Sequence, residues 1–367
     1  MRRCDLTVRL VSVHRCILIM GMEHASVARV SSRMVAALAE SCHAGGMREP
    51  LDVPFGATAQ RPDWADLPPS VRSRIVAALG SAVVSADSQR SGFTPGFASR
   101  LRLADGRTVF AKAADSGHPW LVNAYALEAK NLALLPASVP APRVRARLDI
   151  TGPDANWLVL ILDDVPGRPP ARPWQTEEAA RVLTAVENLS RALTPAPPGH
   201  QWSRFVDAIF PDPTVSFDLL ATRGSLPDIL EPMRALGFAA IENARGDTLV
   251  HSDLRDDNII LDKGDRVWIC DWNMPTSGPI WVDTLTVLIS MVGDGLDGER
   301  LIGESNLFTD VDPDLVDGLL ALLVGYFLTA ELDPLPDASP YLRAAQGWYA
   351  HVVEEWLRRR RHWGHAR

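Results

Sequence analysis

Three oxygen-bearing side chains, Asp253, Asn258 and Asp271, stand close together in the chain. Oxygen donors of this kind suit a hard divalent cation such as Mg2+ and the phosphates it accompanies. The stretch that carries them, Thr248 to Asp283, reads TLVHSDLRDDNIILDKGDRVWICDWNMPTSGPIWVD. Thr248–Val250 is a short apolar strand and His251–Asn258 a polar loop. Ile259–Leu261 and Val267–Cys270 form a hairpin turned through Asp262-Lys263-Gly264-Asp265, and Asp271 opens a second polar segment. Rigid strands whose tips release polar groups are a way to build a site for a metal and a phosphate.

The elements upstream must complete such a site. Ser70–Leu79 has helical spacing and closes at Gly80. Ala82–Gln89, Ala98–Leu103 and Thr108–Ala113 read as antiparallel strands, the last two joined at Asp105-Gly106. Asn123–Leu135 is an amphipathic helix with Ala124, Leu127, Asn131 and Leu134 towards one face. Lys112 stands in an apolar strand, where burying an unpaired ammonium is costly. Either Glu128 on that helix supplies its anion, or its head reaches water from an edge strand.

The spacing His251-x-Asp253 with Asn258 five residues on resembles the catalytic loop of the protein-kinase-like fold, H-x-D-x-x-x-x-N. With Asp271-Trp272 after the hairpin, the stretch is more similar still to the aminoglycoside phosphotransferase family. The resemblance implies that Asp253 accepts or orients the proton of an attacking hydroxyl, and that Asn258 and Asp271 hold Mg2+. It sets Lys112 and Glu128 against the nucleotide phosphates, under a loop that includes Gly92, Gly96 and Ser99. Trp157–Leu162 becomes the strand entering a hinge, with Asp163 and Val165 beside the adenine, although the aspartates Asp163 and Asp164 also read as turn formers. Arg255 either stabilises the transferring phosphate or forms a salt bridge, and His251 is structural. Asp283 matches an aspartate that braces the loop. Ser252 and Asn273 depart from the family, which favours glycine before the Asp and a small residue after Asp-Trp.

The resemblance spans roughly Ala82 to Trp363 and implies an α+β, two-lobed protein-kinase-like fold with a small antiparallel β N-lobe and a larger helical C-lobe. The expected division is a leader over 1–46, an N-lobe over 47–165 and a C-lobe over 166–367. The leader holds three of the four cysteines, has no helical period and reads as a disordered extension or an over-long start. Downstream, helices are expected over Glu177–Leu193, Glu231–Arg245, Pro313–Glu331 and Pro340–Arg361. The run Arg358–Arg361 is expected to be a solvated tail, and Asp294, Asp297, Glu299 and Glu304 to lie in a loop that could face a polycationic acceptor.

A net charge of −8 argues against nucleic acid as a partner. Apolar runs are too short for a membrane span, and Cys270 in an apolar strand suits a reduced, cytoplasmic protein. The expected partners are a nucleotide (ATP, with GTP also compatible) and a small hydroxylated acceptor, on a monomer or weak dimer. The expected enzyme is a small-molecule O-phosphotransferase. A non-catalytic nucleotide-binding module is the alternative. A protein kinase would need a peptide-binding segment after Asp271, where no Ala-Pro-Glu sequence stands.

Overall fold

The computed structural model describes residues 53–364 apart from 55, 153 and 265. The leader and Asp265 of the hairpin turn therefore lie outside the described residues. The chain enters through α1 (Pro69–Leu79), which Pro69 opens. It then forms β1 (Val83–Ser88), β2 (Phe97–Leu103), β3 (Thr108–Asp115), α2 (Pro119–Leu134), β4 (Val144–Ile150) and β5 (Trp157–Asp163). The five strands make one antiparallel sheet in the order β1-β2-β3-β5-β4.

Alternation along these strands sends side chains to two faces. Phe97, Leu101, Val109, Ala111 and Ile161 bury against Val71 and Ile75 of α1. Leu158, Leu160 and Leu162 face the other way and join the core that includes Leu121, Tyr125 and Leu132 of α2. Lys112 is in register with Ala98 and Leu160, on that second face. α2 starts at Pro119, four residues earlier than its apolar period suggests. Its buried residues include Ala124, Glu128 and Asn131, whereas Leu127 and Leu134 are only partly covered.

Beyond β6 (Gly167–Arg168) the chain is mainly helical: α3 (Thr176–Ala192), α4 (Phe205–Ile209), α5 (Pro213–Arg223) and α6 (Leu230–Asn243). β7 (Thr248–Val250), β8 (Ile259–Asp262), β9 (Val267–Ile269) and β10 (Thr276–Gly278) carry the polar loops. β7 pairs with β10, and β8 lies between β6 and β9. α7 (Val282–Gly293), α8 (Gly298–Glu304), α9 (Pro313–Ala330) and α10 (Leu342–Arg361) complete the fold. This is an α+β, two-lobed protein-kinase-like architecture.

α9 is long and apolar enough by composition to cross a membrane. Here it is a core helix, with Val316, Leu319, Leu320, Leu323 and Val324 buried. Gly318 lets it approach α6 closely, because a Cβ there would stand 2.5 Å from the Leu236 carbonyl oxygen.

Two expectations about the C-lobe are corrected. Much of the segment after Asp283 is helical, because Val282–Val292 is apolar on nearly every face and buries as α7; Asp294 and Asp297 do lie in the short connection that follows, whereas Glu299 and Glu304 belong to α8. Three of the four terminal arginines are not a solvated tail, and only Arg359 is exposed. Arg358 keeps 2% of its side chain exposed and pairs with Asp228 at 2.7 Å and Glu354 at 2.9 Å. Arg360 pairs with Asp317 and Glu299, and Arg361 with Asp314 and Asp317. The carboxylates that neutralise the run come largely from other elements, and buried arginines require such partners.

Candidate active site

β7 and β10 fix the two ends of the central loop, and Asp283 ties it down. The Asp283 carboxylate, buried at the first turn of α7, accepts from the His251 N–H at 2.7 Å and the Ser252 N–H at 3.1 Å. Burial pushes its pKa up to about 6, against the pull of those two amides. The His251 ring Nδ1 accepts from the Asp253 N–H at 3.3 Å, so Nε2 is left to donate to the Cys270 carbonyl at 2.8 Å. Burial lowers the His251 pKa to about 4, which keeps the ring neutral and suits this pairing. Ser252 adopts φ +73, the left-handed region that glycine occupies without strain, which accounts for the family's usual glycine here. Its Oγ is 2.7 Å from Thr276 Oγ1.

The loop presents Asp253 to a cleft. Arg255 donates from Nη1 to Asp253 Oδ1 at 2.5 Å, and from Nε and Nη2 to both Asp257 oxygens at 3.0 Å. Asn258 Nδ2 closes the loop on the Asp253 carbonyl at 2.8 Å. Burial raises the Asp253 pKa to about 7, the Arg255 charge opposing and the Asp257 and Asp271 charges assisting. The Asp253 side chain retains 19% exposure, on the cleft side.

The opposite wall comes from the sheet. Lys112 Nζ donates to both Glu128 oxygens, at 2.9 and 2.8 Å, and to Asp271 Oδ1 at 2.9 Å. Its side chain is 12% exposed, so the reading with its head in water is corrected. Burial opposes the Lys112 charge, yet Asp271 and Glu128 together hold its pKa above the usual lysine value. Burial pushes the Glu128 carboxyl up, and Lys112 outweighs burial at Asp271 to hold that carboxyl down. Asp271 sits at φ +65, a left-handed position for a non-glycine residue. Asn131 of α2 donates to the Trp272 carbonyl at 2.9 Å, linking that helix to the segment after Asp271.

These groups line one cleft of about 1380 Å³, open to solvent. Lys112, Glu128, Gly92, Asp163, Val165, Asp253, Arg255, Asn258 and Asp271 all border it. Gly96 and Ser99 do not, so their expected place against a ligand is corrected. Gly96 is packed where a Cβ would meet Tyr125 Oη at 2.4 Å, and Ser99 alternates onto the α1 face of β2. Asp163 turns its carboxylate to the Arg143 N–H and to Arg145, and Asp164 pairs with Arg100 at 2.6 Å. The acidic residues expected to face a polycation are engaged elsewhere. Asp294 binds Arg172 at 2.6 Å, Asp297 caps α8, Glu299 holds Arg360, and Glu304 pairs with Arg300.

Sequence reasoning missed Arg61, Tyr125 and Trp120, which also border the cleft. Arg61 lies in an irregular Pro-containing stretch without a period to read. Tyr125 falls three residues before Glu128 on α2, a spacing that does place it on the same face.

For a divalent cation, the described residues offer no group of three His, Cys, Asp or Glu side chains. Asn258 and Asp271 still give two oxygens on one cleft, and Mg2+ commonly takes one or two protein oxygens and completes its shell with phosphate and water. The donor set fits that use.

Comparison with known proteins supplies the family. The sequence pattern of the phosphotransferase enzyme family matches residues 93–319, more than half of the chain. The choline kinase LicA from Streptococcus pneumoniae superposes with a TM-score of 0.50 at 14% identity, covering 78% of this chain and 98% of that one. An aminoglycoside phosphotransferase from Alicyclobacillus acidocaldarius gives 0.46 at 15%, covering 77% and 92%. Macrolide 2'-phosphotransferase MphH from Brachybacterium faecium gives 0.44 at 15%, covering 80% and 97%. No curated protein matches the chain. At 14% identity the likeness to the choline kinase speaks to fold alone, and the sequence match carries the assignment: this chain belongs to the phosphotransferase enzyme family.

Proposed function

We propose that this enzyme transfers the γ-phosphate of ATP to a hydroxyl of a small molecule. The observation that carries the reading is the convergence of Lys112, Asp253, Asn258 and Asp271 on one cleft. Phosphoryl transfer asks a protein mainly to position groups and to neutralise charge. Asp253, on the open side of its loop, orients the acceptor hydroxyl and takes its proton. A carboxylate poised near neutrality suits that task, since the best general base has a pKa near the working pH. Arg255 holds Asp253 in place, and His251 with Asp283 holds the loop. Lys112, fixed by Glu128, meets phosphate oxygens. Mg2+, held by Asn258 and Asp271, would neutralise charge on the phosphates when bound.

The acceptor docks at a small, partly open recess beside Asp257, bordered by Phe93, Trp348 and Tyr349. Its aromatic walls fit an apolar or ring-bearing alcohol. The test is transfer of labelled γ-phosphate from Mg2+-ATP across a panel of aminoglycosides, macrolides, choline-like alcohols and sugars. Labelled product from at least one acceptor is expected. Nucleotide binding without transfer to any of them, and without slow ATP hydrolysis, would speak for a binding module instead.

A further inference from the structure

We propose that Arg61 is a phosphate-contacting residue, delivered across the cleft by the segment before α1 to the terminal phosphate of the nucleotide. The inference rests on the ATP-dependent reading above and adds a residue outside the span that matches the family, which begins at 93.

The segment from Ala57 to Arg61 runs over the loop between β1 and β2. Thr58 Oγ1 donates to the Gly92 carbonyl at 2.5 Å, the Ala59 N–H to Arg90 at 3.0 Å, and Arg61 Nη2 to the Ser91 carbonyl at 2.8 Å. The Gln60 N–H reaches the Ala338 carbonyl at 2.8 Å, in the connection that leads to α10. Thr58 and Ala59 are buried. The strap is thus tied to both lobes, and it sets the Arg61 side chain into the cleft with its backbone already fixed.

What the guanidinium finds there is incomplete. Arg61 Nε is buried without a hydrogen-bond partner, and so are Tyr125 Oη and Trp120 Nε1 on the same cleft. Buried polar groups are nearly always bonded, so orphan donors gathered on one cavity point to an acceptor that belongs there. Among the described residues no carboxylate is within ion-pair distance of Arg61, whereas Lys112 and Arg255 are each paired. Burial works against the Arg61 charge, with Tyr125, Asp271 and Asp257 opposing that effect. An anion with several acceptor oxygens would satisfy these donors together, and arginine is well shaped to meet phosphate oxygens.

The approach to Asp257 favours the terminal phosphate. A Cβ on Gly92 would lie 3.4 Å from Arg61 Nη2 and 3.3 Å from Asp257 Oδ2. Arg61 therefore stands at the tip of the loop beside Asp257, whose partner Arg255 holds Asp253. That is the end of the cleft where the acceptor is activated. Lys112 stands over the Tyr125 ring and is already bonded to Glu128 and Asp271.

Calorimetric titration of the full chain with ATP, ADP and AMP, each with Mg2+, tests the assignment. Arg61→Ala should weaken ATP by roughly 10- to 100-fold, the worth of a charged hydrogen bond, and leave ADP and AMP within about twofold. Arg61→Lys should recover part of the ATP loss. Retained ADP binding shows that the variant is folded. Equal losses for ATP and ADP, unchanged ATP affinity, or tighter ATP binding would overturn the inference while leaving the kinase reading in place. Wild-type protein that binds no nucleotide would overturn the kinase reading itself.

Discussion

Two buried charge clusters in this molecule are built from the same side chains and differ in what they leave open. At the end of α10, Arg358 donates to Asp228, Glu354 and the Gly364 carbonyl, and Arg360 to Asp317 and Glu299. Arg361 Nε makes no well-aligned hydrogen bond there but lies against the Asp317 carboxylate, so Arg358, Arg360 and Arg361 each face a carboxylate of the fold. Around the cleft, Lys112, Glu128 and Asp271 are likewise paired, yet Arg61, Tyr125 and Trp120 keep donors without partners. Asp253 there is pushed towards neutrality by burial. Pairing alone therefore does not mark a site. Unspent hydrogen-bonding capacity and a shifted carboxylate beside a cavity do.

The comparison breaks if the cluster at the end of α10 turns out to serve binding. Arg358→Ala should lower stability by about 2–4 kcal/mol, short of the upper range for a broken buried pair because Asp228 and Glu354 retain some water. Nucleotide affinity should stay within about twofold. Denaturant unfolding beside a nucleotide titration reads both quantities, and a large affinity loss in a still-folded protein would erase the distinction.

A pH series sharpens the other side. With Asp253 titrating near 7 and needed ionised, kcat/KM should rise with pH, roughly tenfold per unit below that point, and level off above it. Stability runs the opposite way. The folded pKa is raised above an unfolded value of about 3.9, so the contribution of Asp253 is fully present below pH ~4 and is lost as pH rises through about 7. A rate profile flat from pH 5 to 8 would remove Asp253 as the base.

The smallest effect is expected at Ser252. Substitution by glycine relieves the positive φ, worth about 1 kcal/mol, and loses the bond to Thr276, worth a similar amount. Ser252→Gly should change stability by less than about 1 kcal/mol and leave turnover near wild type. A large loss of either would mean that the hydroxyl has a role beyond holding the loop.

Much of the scaffold was legible because its signals are local. Period-two strands, the Asp105-Gly106 turn and the spacing from His251 to Asn258 each depend on neighbours in sequence. The same alternation would have turned Ser99 away from the cleft, since Phe97, Ser99 and Leu101 share a face of β2. β4 also alternates, over Val144–Ile150, but it follows closely on Pro140 and Pro142, which interrupt an extended pattern. What sequence could not carry is partnership across the chain. Nothing near Arg358–Arg361 announces Asp228, Asp317 or Glu299, so a basic run at a helix end reads as solvated. Arg61 is the same problem in reverse. Its stretch has no period, and its importance comes from Ser91, Asp257 and Asp271 on other elements.

The central claim is that Asp253 serves the chemical step while Lys112 serves the nucleotide. Asp253→Asn keeps the shape of the side chain and removes its charge and basicity. Measured with Mg2+-ATP and an accepted hydroxyl compound, it should lower kcat by roughly 10²–10⁴-fold, the usual worth of a positioned base, with ATP affinity nearly unchanged. Lys112→Ala, measured beside it, should weaken ATP binding as well as turnover. An Asp253→Asn enzyme that turns over like wild type, or loses ATP affinity as Lys112→Ala does, would contradict the account.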